Sequence, residues 1–173
     1  MNILLRNYGI AFLLTLASVF VNHLLGFNTE RHDIGEYARH AVTVIFWCSV
    51  FLTIVQVRAA SGSSHSFLTA FRTGCLYSVG FAASFSLFMV FYQHVVNPRF
   101  YPTYREFFAA RLNELKIAPD LVALKLRQFD MSYNGEFPAY MLLFLYMAMG
   151  GVIMSAIAGA IFRNPAQRQA THG

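Results

Sequence analysis

Residues 74–102 read GCLYSVGFAASFSLFMVFYQHVVNPRFYP. The first two dozen or so are almost wholly apolar, which matches the ~20 residues an α-helix needs to cross ~30 Å of hydrocarbon. They predict a membrane span over 74–97, closed by Pro98 and Pro102, because proline lacks the amide that would continue a helix. Within the span Gly74, Ser78, Ala82 and Ser86 recur at every fourth position. On a helix they form one strip of small side chains where a second backbone can approach closely.

Three more apolar runs flank this one, over 8–27, 40–57 and 139–162. The chain is 57% hydrophobic and 12% charged with a mean hydropathy of +0.48, well outside ordinary soluble usage. These features predict an all-α fold: a single integral-membrane domain over 1–173, built as a four-helix bundle. The net charge of +5 is spread among the span flanks and forms no single patch, so topology explains it better than nucleic-acid binding. The run 8–27 is too long for the apolar core of a typical signal peptide and lacks a clear cleavage site, so it is expected to stay as the first span.

The connections carry their own signals. Residues 28–39 read as a compact charged turn with Gly35 as its breaker. A flexible Gly/Ser linker is expected over 59–66. It is followed by a short interfacial helix over 66–74 that places Phe67, Ala70, Phe71 and Gly74 on one face and leads into span three. Cys48 and Cys75 fall at different membrane depths, which argues against a disulfide and for buried, inert thiols.

Between spans three and four, Thr103-Tyr104-Arg105-Glu106 has the form of a capping box and predicts an amphipathic helix over 103–117 with Phe108, Leu112 and Leu115 on its apolar face. Pro119 and Asp120 open a second helix over 119–131, with Val122, Leu126 and Phe129 as its apolar row. Asn134-Gly135 then marks a turn. In the fourth span Gly151, Ser155 and Gly159 make a second small-residue ridge. Packing of this ridge on span three is preferred, with a subunit contact as the alternative. Residues 163–173 read as a polar basic tail.

Four spans place both termini and the 58–73 segment on one side of the bilayer. That side carries Arg6, Arg58, Arg72, Arg163 and Arg168 and no acid, whereas Glu30, Asp33, Glu36, Glu106, Glu114, Asp120, Asp130 and Glu136 all fall on the other. The acidic side holds more Lys and Arg in total, yet only the terminal side has unopposed positive charge. Both termini are therefore expected in the cytoplasm of an inner-membrane protein, with the loop helices as an extracytoplasmic cap.

Candidate chemistry is sparse. His23, His40 and His94 fall at one end of the bundle, near Asn22, Asn97, His32 and Asp33. Neutral imidazoles there would suit a metal, a haem or a proton relay. No pair has the helical i, i+4 spacing of a built metal site, and all three lie near the interface, so a hydrated polar role is preferred and no metal or cofactor is assigned. The predicted spans hold no Asp, Glu or Lys of the kind ion-coupled carriers use. Phosphate loops, H-E-x-x-H, C-x-x-C and G-x-S-x-G are missing too. The leading expectation is thus a non-enzymatic scaffold or accessory subunit that packs against other membrane proteins or copies of itself in the lipid bilayer. A bundle enclosing a lipid, quinone or other amphiphile under the loop helices is the alternative, and a redox or metal protein using the three histidines comes third.

Several short motifs occur together: Arg58 after span two, Ser66-Phe67-x-x-Ala70-Phe71-x-x-Gly74 entering span three, Asn97-Pro98-Arg99-Phe100 leaving it, a capped loop and a last span. Over about residues 5–163 the chain resembles a small four-span family of Bacteroidota classed as a domain of unknown function, number 4199 in that series. The resemblance implies the architecture and a bacterial inner membrane. It brings no activity and no catalytic residue.

Overall fold

The computed structural model describes residues 2–61 and 66–161, and among these every regular element is a helix and there is no strand. Four of its helices are long and apolar enough to cross a membrane. They are α1 (Ile3–Leu24), α3 (His40–Ser61), α4 (Phe67–Phe91) with a π-helical turn at Tyr92–Val96, and α7 (Phe137–Ile161). Three shorter helices connect them at one end: α2 (His32–Ala38), α5 (Phe100–Glu114) and α6 (Pro119–Tyr133). The expected all-α bundle is present.

The small-residue strips face each other across the most extensive helix contact, between α4 and α7. A methyl group added at Gly74 would collide with the Ser155 side chain and Ile54, and one at Gly151 would collide with Ser78 and Phe46. The pairing is reciprocal: each helix puts a glycine under the other's serine. Both hydroxyls stay on their own helix, Ser78 donating to the Gly74 carbonyl at 2.7 Å and Ser155 to the Gly151 carbonyl at 2.6 Å. A buried polar atom is thereby satisfied without holding the helices apart. Ala82 and Ser86 continue the strip as buried residues, and Gly159 lies against Phe67.

Several local expectations are corrected. No separate interfacial helix occupies 66–74: Ser66 caps α4 by accepting the Thr69 amide at 3.2 Å, and the helix runs unbroken through Gly74. Residues 59–61 belong to α3, not to a linker, whereas 62–65 and the tail 163–173 lie outside the described residues. The charged turn at 28–39 contains α2. Gly35 sits inside that helix because a side chain there would run into the Phe27 carbonyl, so it permits a close approach and breaks nothing. Cys48 lies exposed on the outer face of α3 and is not buried.

The capping box at Thr103 does not form either. Helix α5 begins at Phe100, so Pro102 falls in its first turn, where a missing amide costs no intrahelical bond. Thr103 bonds backward to the Arg99 carbonyl at 2.8 Å. Leu115, expected on the apolar face, follows the end of α5 and is 65% exposed. What closes α5 on α6 is aromatic and ionic: Phe108 stacks on Phe129, Tyr104 meets Tyr133 edge-on, and Arg105 pairs with Asp130 at 2.8 Å while Tyr101 donates to the same carboxylate at 2.8 Å.

One offset shapes the rest. Phe46 and Trp47, in the second turn of α3, reach Gly151 and Gly150 in the fourth turn of α7. Helix α3 therefore starts about seven residues, or ~10 Å, lower in the bundle than α7. Above its first residue that side of the bundle is continued by Arg39 and the short α2.

Candidate functional site: the chamber above α3

At this end of the bundle, between α1, α3, α4, α7 and the loop helices, lies a cavity of about 480 Å³. Its floor is apolar, made by Val19 of α1, Val42 of α3, Phe85 and Met89 of α4, and Leu143 and Met147 of α7. Phe100, Tyr104 and Tyr133 of the loop helices roof it, and Asn22, Asn28, Gln93 and Tyr140 stand around its upper wall. The cavity is not fully enclosed, and two of its lining residues on α7 reach the surface: Tyr146 is 62% exposed and Leu142 44%.

A buried polar network holds one wall in place. Tyr92, wholly buried in the π turn, accepts hydrogen bonds at its hydroxyl oxygen from the side-chain amides of Asn28 and Asn97, each at 3.2 Å. With both acceptor positions filled, its proton points at His23 Nδ1, 3.2 Å away, so a neutral His23 carries its own proton on Nε2. The Asn97 amide also donates to the Asn28 carbonyl at 2.9 Å. These bonds tie the loop after α1 across the end of α4, at a π turn of the kind that often marks functional positions.

Next to this network stands Arg39, directly after α2. Its guanidinium lies over the Tyr104 ring at 4.2 Å from the centroid, and both terminal nitrogens are buried without a hydrogen-bond partner. His32 stacks on the same ring at 5.1 Å and is held by Thr103 at 2.9 Å. Because the Thr103 hydroxyl already donates to Arg99, the imidazole Nε2 is the donor. Burial pushes the Tyr104 phenol above its ordinary range while the Arg39 charge pulls the other way, so the ring stays neutral at physiological pH. Glu36 also lines the chamber, but its carboxylate is taken by Arg111 at 2.6 Å.

The three histidines singled out from sequence are not brought together as ligands. His23 serves the Tyr92 network, His94 approaches the Gly135 carbonyl at 3.2 Å on an exposed face, and His40 sits at the chamber rim. Among the described residues no group of three His, Cys, Asp or Glu side chains converges on a metal position. The helix-packing residues Gly74, Ser78, Gly151 and Ser155 lie below the chamber and Gly159 lower still. Sequence reasoning missed Arg39, Tyr92 and Tyr104. The available signal was the four-residue aromatic spacing Phe100, Tyr104, Phe108 and Phe129, Tyr133, which marks one buried face on each loop helix. Chemically, the arrangement offers an unpaired cation and several hydrogen-bonding groups above a greasy chamber, a geometry for holding a molecule with two unlike ends.

A family model described as a protein of unknown function (DUF4199) matches residues 7–164, and the chain belongs to that family. No curated protein and no solved structure matches it.

Proposed function

We propose that this DUF4199 protein is a multi-pass membrane protein that binds an amphiphile between its helices, in the chamber roofed by α5 and α6. One observation carries the reading: an apolar floor at span depth is joined to a polar, charged upper wall within one cavity. At about 480 Å³ the chamber falls within the ~300–1,000 Å³ typical of small-molecule sites. The role is binding or transfer and not catalysis. The small-residue ridges, which motivated a scaffold role, face each other within the chain, Gly74 against Ser155 and Ser78 against Gly151, so internal packing accounts for them. We place the acidic end and its loop helices outside the cytoplasm of a bacterial inner membrane, with the termini inside, because unopposed Arg residues gather at the terminal end.

The test is thermal unfolding of the purified protein in nonionic detergent against a panel of single-chain lipids and quinones, together with mass spectrometry of copurifying molecules. A bound amphiphile at ~100 times its Kd stabilises by about 2.7 kcal/mol. A Met147→Trp variant, which fills the floor, abolishes that shift while remaining folded. If no amphiphile moves the midpoint and none copurifies, the reading fails.

A further inference from the structure

The chamber contains one group whose interactions the fold leaves incomplete. Arginine nitrogens taken from water normally find an acceptor, because a buried charge without one is costly. The terminal nitrogens of Arg39 have no acceptor, only the ring faces of Tyr104 at 4.2 Å and Phe100 at 6.0 Å from the guanidinium carbon. The natural partner of Arg39 is Glu36, three residues earlier in α2, which Arg39 caps, and lining the same chamber. That carboxylate instead turns to Arg111, a 46% exposed side chain that does not line the chamber. The corner thus holds two arginines and one acid, and the acid goes to the arginine that water could have served. The remaining charge-bearing group at the chamber is His40 on the rim, which is no acceptor when protonated. Positive charge is left uncompensated beside an apolar floor.

We infer that the occupant carries an anionic headgroup, a carboxylate or phosphate, which the Arg39 guanidinium turns to meet, its terminal nitrogens being closed to solvent in this structure. This rests on the amphiphile reading and narrows it. The planar fork of arginine matches both oxyanions in a bidentate fashion. The apolar tail lies over Val42, Phe85 and Met147. A neutral occupant such as a quinone leaves the buried cation unsatisfied, which sets the two classes apart.

The test uses the full chain in nonionic detergent and four probes: oleate, oleoyl lysophosphatidic acid, monoolein as the uncharged molecule with the same tail, and inorganic phosphate as the headgroup alone. Binding is read by thermal shift and titration calorimetry. The expected result is that both anionic amphiphiles bind at least about 10-fold more tightly than monoolein or phosphate, and that Arg39→Gln weakens them about 10- to 100-fold while leaving monoolein unchanged. A second variant leaves the chamber wall untouched. Arg111→Gln frees Glu36 to neutralise Arg39, and so weakens anion binding about 2- to 10-fold from outside the chamber. If monoolein binds as tightly as oleate and neither variant matters, the anionic headgroup is overturned and the amphiphile chamber stands. If phosphate alone protects as well as lysophosphatidic acid, and through Arg39, the anion chemistry stands with a free anion as its source and the amphiphile reading falls. If no probe shifts the midpoint, both fall.

Discussion

The lower and upper halves of the bundle are made by the same long helices and solve opposite problems. Below, α4 and α7 approach until a glycine on each lies under a serine of the other, and nothing larger fits. Above, tyrosines, asparagines and an arginine prop the same two helices and their neighbours around a chamber. In lipid no hydrophobic force draws one span to another, so close contact has to come from small side chains and well-matched surfaces. Where the small residues run out, separation is the default. The late start of α3 and the polar residues above it leave that separation as a chamber. The solid end provides the rigidity against which the hollow end keeps its shape.

The largest expected effect contrasts the halves directly. Gly151→Leu drives a side chain into Ser78, whose Cβ as well as its hydroxyl lies in the way, and into Phe46, and costs about 3 kcal/mol or more, enough to abolish a monodisperse folded protein in detergent. The better helix propensity of Leu recovers only ~1 kcal/mol of that. Thr43→Leu, an enlargement at the chamber wall, has open volume to enter and stays within about 1 kcal/mol of the parent. Size-exclusion behaviour and thermal midpoints of the pair decide it. Equal tolerance at both positions breaks the contrast.

How much of this contrast could be read from the chain alone differs between its halves in the same way. The lower half was legible: span existence follows from length and apolarity, and the ridges Gly74/Ser78/Ala82/Ser86 and Gly151/Ser155/Gly159 follow from a four-residue period, both local properties. The upper half was not. Arg39 looked like one charge among several in residues 28–39, and its isolation depends on Arg111, some seventy residues away, claiming Glu36. Gly35 read as a breaker because the Phe27 carbonyl that demands it comes near only in the folded loop. The start of α5 was misplaced because two prolines suggested an ending, although a proline in the first turn of a helix removes nothing.

The second effect in size probes the polar wall. Tyr92→Phe removes one oxygen and leaves the Asn28 amide and His23 Nδ1 without this partner, while the Asn97 amide keeps only the Asn28 carbonyl, at a cost of about 1–3 kcal/mol. The loop after α1 loosens with it, so hydrogen exchange of residues 25–31 speeds up while the Gly74–Ser78 turn stays protected. Uniform loosening of both halves would show that the chamber wall and the packed end are one cooperative unit and not two regions.

The smallest effect lies farthest from the packed end, in the α5–α6 roof. Asp130 accepts from Arg105 at 2.8 Å and 3.3 Å and from Tyr101 at 2.8 Å. The hydrogen bonds from Arg105, ahead of its charge, hold the Asp130 carboxyl below the usual aspartate range, while partial burial opposes them. A depressed folded pKa means the contribution is fully present above the unfolded aspartate value of about 3.9 and is lost as the pH falls through the lower folded value. Because the pair is largely solvated, Asp130→Asn lowers the thermal midpoint by no more than about 2–3 °C at pH 7. The gap between variant and parent closes on acidification below pH ~4 and narrows in high salt. Helix α4 and its contact with α7 do not register the change. A variant whose deficit persists unchanged at low pH would mean that the roof is held by the stacking of Phe108 on Phe129 and not by its ion pair.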